Sequence, residues 1–254
     1  VRSILAKEKT TIWHINHNTA GDNVVSTKWP ITSAVASGAA NALGIYVITG
    51  IQDNIKGIYY SAQSPPDSKI YEKFSKMPSI GGSSITIDLD TVSDYVTKYG
   101  CTAVIASDNK SHLAKEEAAL EKMNIDVVRI KPAAVSAKEL GSALLMVGFL
   151  FQKENRALEV TSWITTLYND ITVKINTIPE SKRVTAMASS SDNNVSTKNS
   201  DYTDVIRMAG AKCPVDSRTD TASSIVIGDW LYTADMNPDK IIQLRTGGGL
   251  GGSW

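Results

Sequence analysis

From Ser136 to Ile178 the apolar positions recur at helical intervals with no proline to interrupt them. Leu140, Leu144, Val147 and Phe151 form one stripe. After a polar interruption, Gln152 to Arg156, a second stripe follows through Leu158, Trp163, Leu167, Ile171, Ile175 and Ile178, and Pro179 closes it. The pattern predicts two helices joined at the interruption. Ser136 with Glu139 has capping-box spacing, so the first helix starts there. The second, Glu154 to Ile178, would be about 36 Å long at about 1.5 Å per residue. A mean helix has only about 11–12 residues. This one is long enough to run from one lobe to another.

Upstream, β-branched apolar runs alternate with helical stretches. Thr11 to Ile15 is predicted as an edge strand, with Ala20 to Asn23 a turn. Val24 and Val25 end a short strand, and Thr27 to Pro30 form the loop after it. A small-residue helix then begins at Ile31 and stops at Gly44, with a strand from Ile45 to Ile51. Strand, helix and strand within so short a span make a βαβ unit and a parallel sheet. Residues 52–82 are loop-rich. Further elements are a helix over Val92–Tyr99, a strand over Ala103–Ala106, a helix over Leu113–Met123 and a strand over Ile125–Ile130.

Past Pro179 the pattern restarts. Arg183 to Ala188 is predicted as a strand, followed by a polar stretch to Asp201. Tyr202 to Ala209 is a helix ended by Gly210, Asp229 to Ala234 a short helix, and Lys240 to Leu244 a strand. The expected organisation is an α/β lobe over 1–152, an interlobe backbone helix over 153–179 and a second, incomplete α/β lobe over 180–254.

Composition narrows the chemistry. Lys+Arg and Asp+Glu are 26 each, so the formal charge is zero and nothing points to nucleic acid as a partner. No run approaches the roughly eighteen apolar residues of a membrane span, and no amino-terminal signal pattern is visible. Cys101 and Cys213 are too few and too far apart for a metal cluster or a disulfide framework. His14 and His17 fall on an extended segment, where i, i+3 spacing does not align two ligands. They are expected as surface histidines. With His112 they are the only histidines, and no GxSxG, HExxH or Walker A sequence occurs. Histidine-based acid–base or zinc chemistry is therefore poorly supplied. With two α/β lobes joined by one long helix, the expectation is a non-enzyme with no catalytic residues, no resident cofactor and no metal site.

An ordered set of segments resembles one family. VVSTKWPITSAVASGAANALGIYVITG matches a first strand, loop and small-residue helix, and Ser79-Ile80-Gly81-Gly82 followed by CTAVIAS matches the next signature. MNIDVVRI, MVGFLFQKENRA, IPESKRV, DVIRMAGA and GDWLYTADMNPDKIIQL follow in the same order. Together they resemble the substrate-binding proteins of ABC importers for iron–siderophore, haem and corrinoid ligands, the helical-backbone metal receptors. Phe151 stands where the family has a second glycine. The proline-aspartate that usually leads the 103–106 strand is absent.

The resemblance implies two α/β lobes joined by one long backbone helix, an interlobe cleft, and only a small closure on ligand because a continuous helix resists bending. Such folds bind outside the carboxyl ends of parallel strands. The expected ligand residues are therefore Lys28, Trp29, Tyr59, Tyr60, Ser83, Ser107, Asp108, Ser189 and Arg245. Tryptophan and tyrosine would supply flat apolar contact, and the basic residues would pair with an anionic chelate. The family presents one acidic residue per lobe to its permease, which implies Asp90 or Asp94 in the first lobe and Asp229 in the second. Also implied are permease subunits as partners, a metal chelate as ligand, attachment to the membrane through the permease or an anchor, and an extracytoplasmic location. Two other readings stay open. One is a structural or adhesive extracellular domain. The other is a nucleotide-using enzyme built on the glycine run at 247–252, although no helix follows that run before Trp254.

Overall fold

The computed structural model describes residues 10–16, 23–37, 42–59, 69, 71–81, 86–108, 112–131, 137–191, 194–218, 224–226 and 236–243. The chain divides into two compact units, Val1–Thr165 and Thr166–Trp254. Each is described separately.

The first unit opens with a hairpin of β1 (Thr10–Asn16) and β2 (Asn23–Trp29), paired antiparallel from Thr10 opposite Trp29 to Asn16 opposite Asn23. Four strands then build a parallel sheet: β3 (Ala34–Ala36), β4 (Ile55–Ile58), β5 (Ala103–Ser107) and β6 (Asp126–Ile130), in the order β4-β3-β5-β6. Every residue of β3 and β5 is buried, and in β6 only Asp126 is not. That near-continuous apolar lining is what a parallel sheet covered on both faces requires. Helix α1 (Ala42–Thr49) crosses from β3 to β4. A short α2 (Glu72–Ser75) and α3 (Leu89–Tyr99) precede β5, and α4 (Glu117–Lys122) connects β5 to β6. Helix α3 begins where Asp88 accepts the Thr91 amide at 2.7 Å, and ends at Gly100, whose φ of 63° suits a residue without a Cβ.

Between Leu89 and Asn176 the elements fall close to where the sequence pattern put them, and the short helix expected over Asp229–Ala234 lies outside the described residues. The first βαβ unit was misplaced. Residues 31–43 were expected as a helix and 45–51 as a strand. The structure has the strand at Ala34–Ala36 and a helix over Ala42–Thr49, with Gly44 inside it rather than capping it. β2 also runs on to Trp29 through the expected loop at Thr27–Pro30.

The long apolar run forms α5 (Ala137–Leu150) and α6 (Glu154–Asn176), separated at Phe151–Lys153. Gln152 turns the chain with a φ of 57°, and the Lys153 amide donates to Gly148 O at 2.6 Å. Ala157, Val160 and Ile164 bury the first half of α6. The boundary between the units falls inside this helix. No helix among the described residues is long and apolar enough to cross a membrane.

In the second unit β7 (Ala186–Ser191) pairs in parallel with β10 (Lys240–Gln243). Antiparallel β8 (Asn194–Ser196) and β9 (Ser224–Val226) extend the sheet to the order β10-β7-β8-β9. β8 lies in the stretch expected to be polar loop. Helix α7 (Asp201–Met208) starts at Ser200, which accepts the Tyr202 amide, and stops before Gly210 with its φ of 87°. Ala186, Met187, Ala188, Val195, Ile206, Cys213 and Val215 form the core. Cys101 and Cys213 are both free and buried. Burial pushes the Cys213 thiol up to about 11 and raises that of Cys101, so both stay protonated at neutral pH.

Candidate functional site

The strand order β4-β3-β5-β6 carries a topological consequence. From β3 the chain moves outward to β4, then returns to place β5 on the other side of β3 and continues to β6. The order therefore reverses between β3 and β5. Open parallel sheets leave a crevice outside the carboxyl ends of the strands at such a switch point, because the crossovers on either side lead away from it.

Ser37 and Ser107 stand at this crevice. Ser37 follows β3, its amide donates to Ile105 O at 2.8 Å, and its buried hydroxyl has no hydrogen-bond partner among the described residues. Tyr59 follows β4, with its amide on Ala36 O at 3.2 Å and 5% of its surface exposed. Ser107 ends β5, and its hydroxyl lies 2.6 Å from His112 Nδ1. Asp108 comes next in the chain. Behind them the Arg129 guanidinium donates to Ser107 O at 3.2 Å, to His112 O at 3.0 Å and to Glu117 Oε2 at 2.8 Å. The edge thus carries hydroxyls, an imidazole and the Asp108 carboxyl group, with the buried Arg129 cation beneath.

Burial, followed by the nearby Arg129 charge, holds the His112 imidazole below its ordinary value of 6.5, while Asp108 pulls the other way. The unfolded chain therefore binds this proton more readily than the folded one. Stability carried by neutral His112 is complete above pH 6.5. It is lost as pH falls from there toward the lower folded value. Urea unfolding at pH 7.5 and at pH 5.5 is expected to show this loss, and His112→Gln should reduce it. An equal loss in the variant would assign the effect to other groups.

The expected site residues fall into three sets. Tyr59, Ser107 and Asp108 sit at the carboxyl edge of the first sheet. Ser189, opposite Gln243 in the β7–β10 register, sits at the carboxyl end of the parallel pair in the second unit. Lys28 and Trp29 do not join the first group. The Lys28 amide donates to Asp126 Oδ2 at 2.7 Å and its ammonium to Asn124 O, both at the start of β6. Trp29 is 3% exposed, stacks on Phe149 with centroids 5.7 Å apart, and donates from Nε1 to Phe149 O at 2.9 Å. Both belong to the amino edge of the sheet. Their assignment to a post-strand loop followed from taking Val24–Val25, rather than Ala34–Ala36, as the strand before the crevice.

Tyr60, Ser83, Arg245 and Asp229 lie outside the described residues. Asp90 and Asp94 are exposed one turn apart on α3. His14 packs in the hairpin, with Nε2 2.7 Å from Thr27 Oγ1, and His17 lies outside the described residues. Sequence reasoning passed over Ser37, His112 and Arg129. A charged residue inside the apolar run Ile125–Ile130 was the available signal for Arg129. A cavity of about 240 Å³ lies elsewhere, beside Asn16, Glu121 and Asp126. It is small against the roughly 300–1,000 Å³ of ordinary ligand pockets.

The sequence matches no protein-family model and no curated protein. Solved structures do match. A periplasmic binding protein from Veillonella parvula aligns with a TM-score of 0.68 at 15% identity, over 95% of this chain and 79% of that one. An ABC transporter solute binding protein from Sulfurospirillum deleyianum gives 0.67 at 16% identity, over 92% and 71%. The periplasmic heme binding protein HutB of Vibrio cholerae gives 0.63 at 15%, over 83% and 75%. This chain has the periplasmic binding protein fold. At these identities the likeness is one of fold, and it agrees with the α/β, parallel-sheet architecture expected from the sequence.

Proposed function

We propose that this protein is the extracytoplasmic solute-binding component of an ABC importer, capturing a metal chelate and delivering it to a permease, with no catalysis of its own. The switch-point crevice carries this reading. A parallel sheet of periplasmic binding protein fold presents Ser37, Tyr59, Ser107, Asp108 and His112 at its carboxyl edge. Solved structures of the same fold include two periplasmic heme binding proteins and a possible iron-binding one, which favours haem or an iron chelate. In this reading Lys28 and Trp29 do not contact solute. Hydroxyls and a neutral imidazole can donate to the oxygen-rich rim of a chelate, while the Asp108 carboxylate can only accept.

Asp90 and Asp94, exposed one turn apart on α3, are the proposed permease-docking residues of the first unit, with Asp229 as their counterpart. The importer assignment is tested by calorimetry of the purified protein against haemin, a ferric hydroxamate and cyanocobalamin. One of the three is expected to bind at about micromolar Kd or tighter, roughly 8 kcal/mol. Absence of binding to all three, together with turnover of a nucleotide or a sugar, would overturn it.

A further inference from the structure

Arg129 is buried more completely than its chemistry prefers. Its side chain is 2% exposed, and it heads the fully buried residues in volume. A guanidinium withdrawn from water is tolerated only when its donors are well used, and an apolar side chain would often serve packing as well. The use made of this one is local and specific. Nη1 reaches the carbonyl of Ser107, the last residue of β5. Nη2 reaches the carbonyl of His112 and the carboxylate of Glu117, the first residue of α4. One side chain therefore holds both banks of the β5–α4 connection, and the Ser107 hydroxyl and His112 ring meet at 2.6 Å between them.

Arg129 is itself held from the far side. Asn16 on β1 accepts the Arg129 amide and donates to Val127 O, both at 2.8 Å, so its side-chain amide stands in for a neighbouring strand along the outer edge of β6. The fork is thereby fixed at its backbone as well as at its tip. A lysine at this position would keep the charge but could not reproduce three planar donor directions.

We propose that Arg129 is a positioning residue that locks the Ser107 hydroxyl and the His112 imidazole into one preorganised edge of the solute site. This rests on the carboxyl edge being that site. Wild type, Arg129→Lys and Glu117→Gln are compared by long-range proton–nitrogen NMR of the imidazole rings, with His112 assigned through His112→Gln. Each is also titrated with haemin, a ferric hydroxamate and cyanocobalamin. Wild-type His112 is expected in one neutral tautomer above pH 7. Arg129→Lys should mix the tautomers and weaken solute binding roughly tenfold, the size of one lost charged hydrogen bond. Glu117→Gln should act in the same direction with a smaller effect, and it decides the matter if the lysine variant does not fold.

A single unchanged tautomer in the folded variants, or mixed tautomers already in wild type, overturns the proposal. Mixed tautomers with full solute affinity overturn it as well. If the tautomers mix and no wild-type solute binding is found, Arg129 stands as the residue that positions His112, and the importer reading fails instead.

Discussion

Trp29→Ala is expected to cost about 3–5 kcal/mol of unfolding free energy, the range for removing a large aromatic side chain from a packed interior. Trp29 is 3% exposed, so nearly all of its surface would have to be replaced by a cavity. Its ring lies on Phe149 with an interplanar angle of 23°, and the indole N–H satisfies the Phe149 carbonyl near the end of α5. Losing the ring removes the apolar transfer term, the aromatic contact and that hydrogen bond together. Domains are stable by only about 5–15 kcal/mol, so this one change consumes much of the margin. Trp29→Phe keeps most of the apolar area and removes one of the two hydrogen bonds to the carbonyl, which still accepts the Gln152 amide at 3.3 Å, at about 0.5–1.5 kcal/mol. Urea denaturation of both variants measures these costs. The phenylalanine variant should remain folded well enough to titrate, and its solute affinity should match wild type. A marked loss of affinity in that folded variant would place Trp29 back in the solute site.

The contrast between Trp29 and Ser107 explains how far the sequence could be followed. The position of Ser107 was legible because Ala103–Ala106 is an unambiguous apolar strand, and the residue after such a strand lies at its carboxyl edge. Trp29 was misassigned because the strand that matters, Ala-Val-Ala at 34–36, is buried on both faces. It shows no alternation, and periodicity cannot separate a short run of that kind from buried helix. The neighbouring Ala42–Thr49 has the reverse difficulty. Its isoleucines and valine suggest a strand, yet it forms the helix that carries the chain from β3 to parallel β4. Tertiary demand outweighs local propensity there.

The helices from Ala137 to Asn176 were legible because their apolar stripes are long and one-sided, and because the polar break falls at the observed junction. His112 and Arg129 were missed for a different reason. Their roles depend on contacts across five to twenty-two residues of sequence, which no local pattern records.

That helical junction yields the other large effect, at Gly148. A Cβ placed there would lie 2.4 Å from the Cβ of Ala157 and 3.2 Å from Lys153 O. Neither neighbour is the end of a flexible side chain. One carbon is bonded directly to the α6 backbone and the other atom is backbone itself, so relief requires α5 and α6 to move apart. Gly to Ala inside a helix would ordinarily gain about 0.5–1 kcal/mol. Overpacking of this kind costs about 1–3 kcal/mol, and a clash between two fixed backbones belongs at or above the upper end. Gly148→Ala is therefore expected to destabilise by about 2 kcal/mol, against its helix propensity. Ala157→Gly alone should cost about 1 kcal/mol for glycine in a helix. In the double variant the new methyl occupies the space vacated by the old one, so the two changes should cost far less together than their sum. Such a coupling is the signature of residues in direct contact. Urea unfolding of the four proteins measures it. Simple additivity, or a stabilised Gly148→Ala, would mean that α5 and α6 do not meet at this glycine.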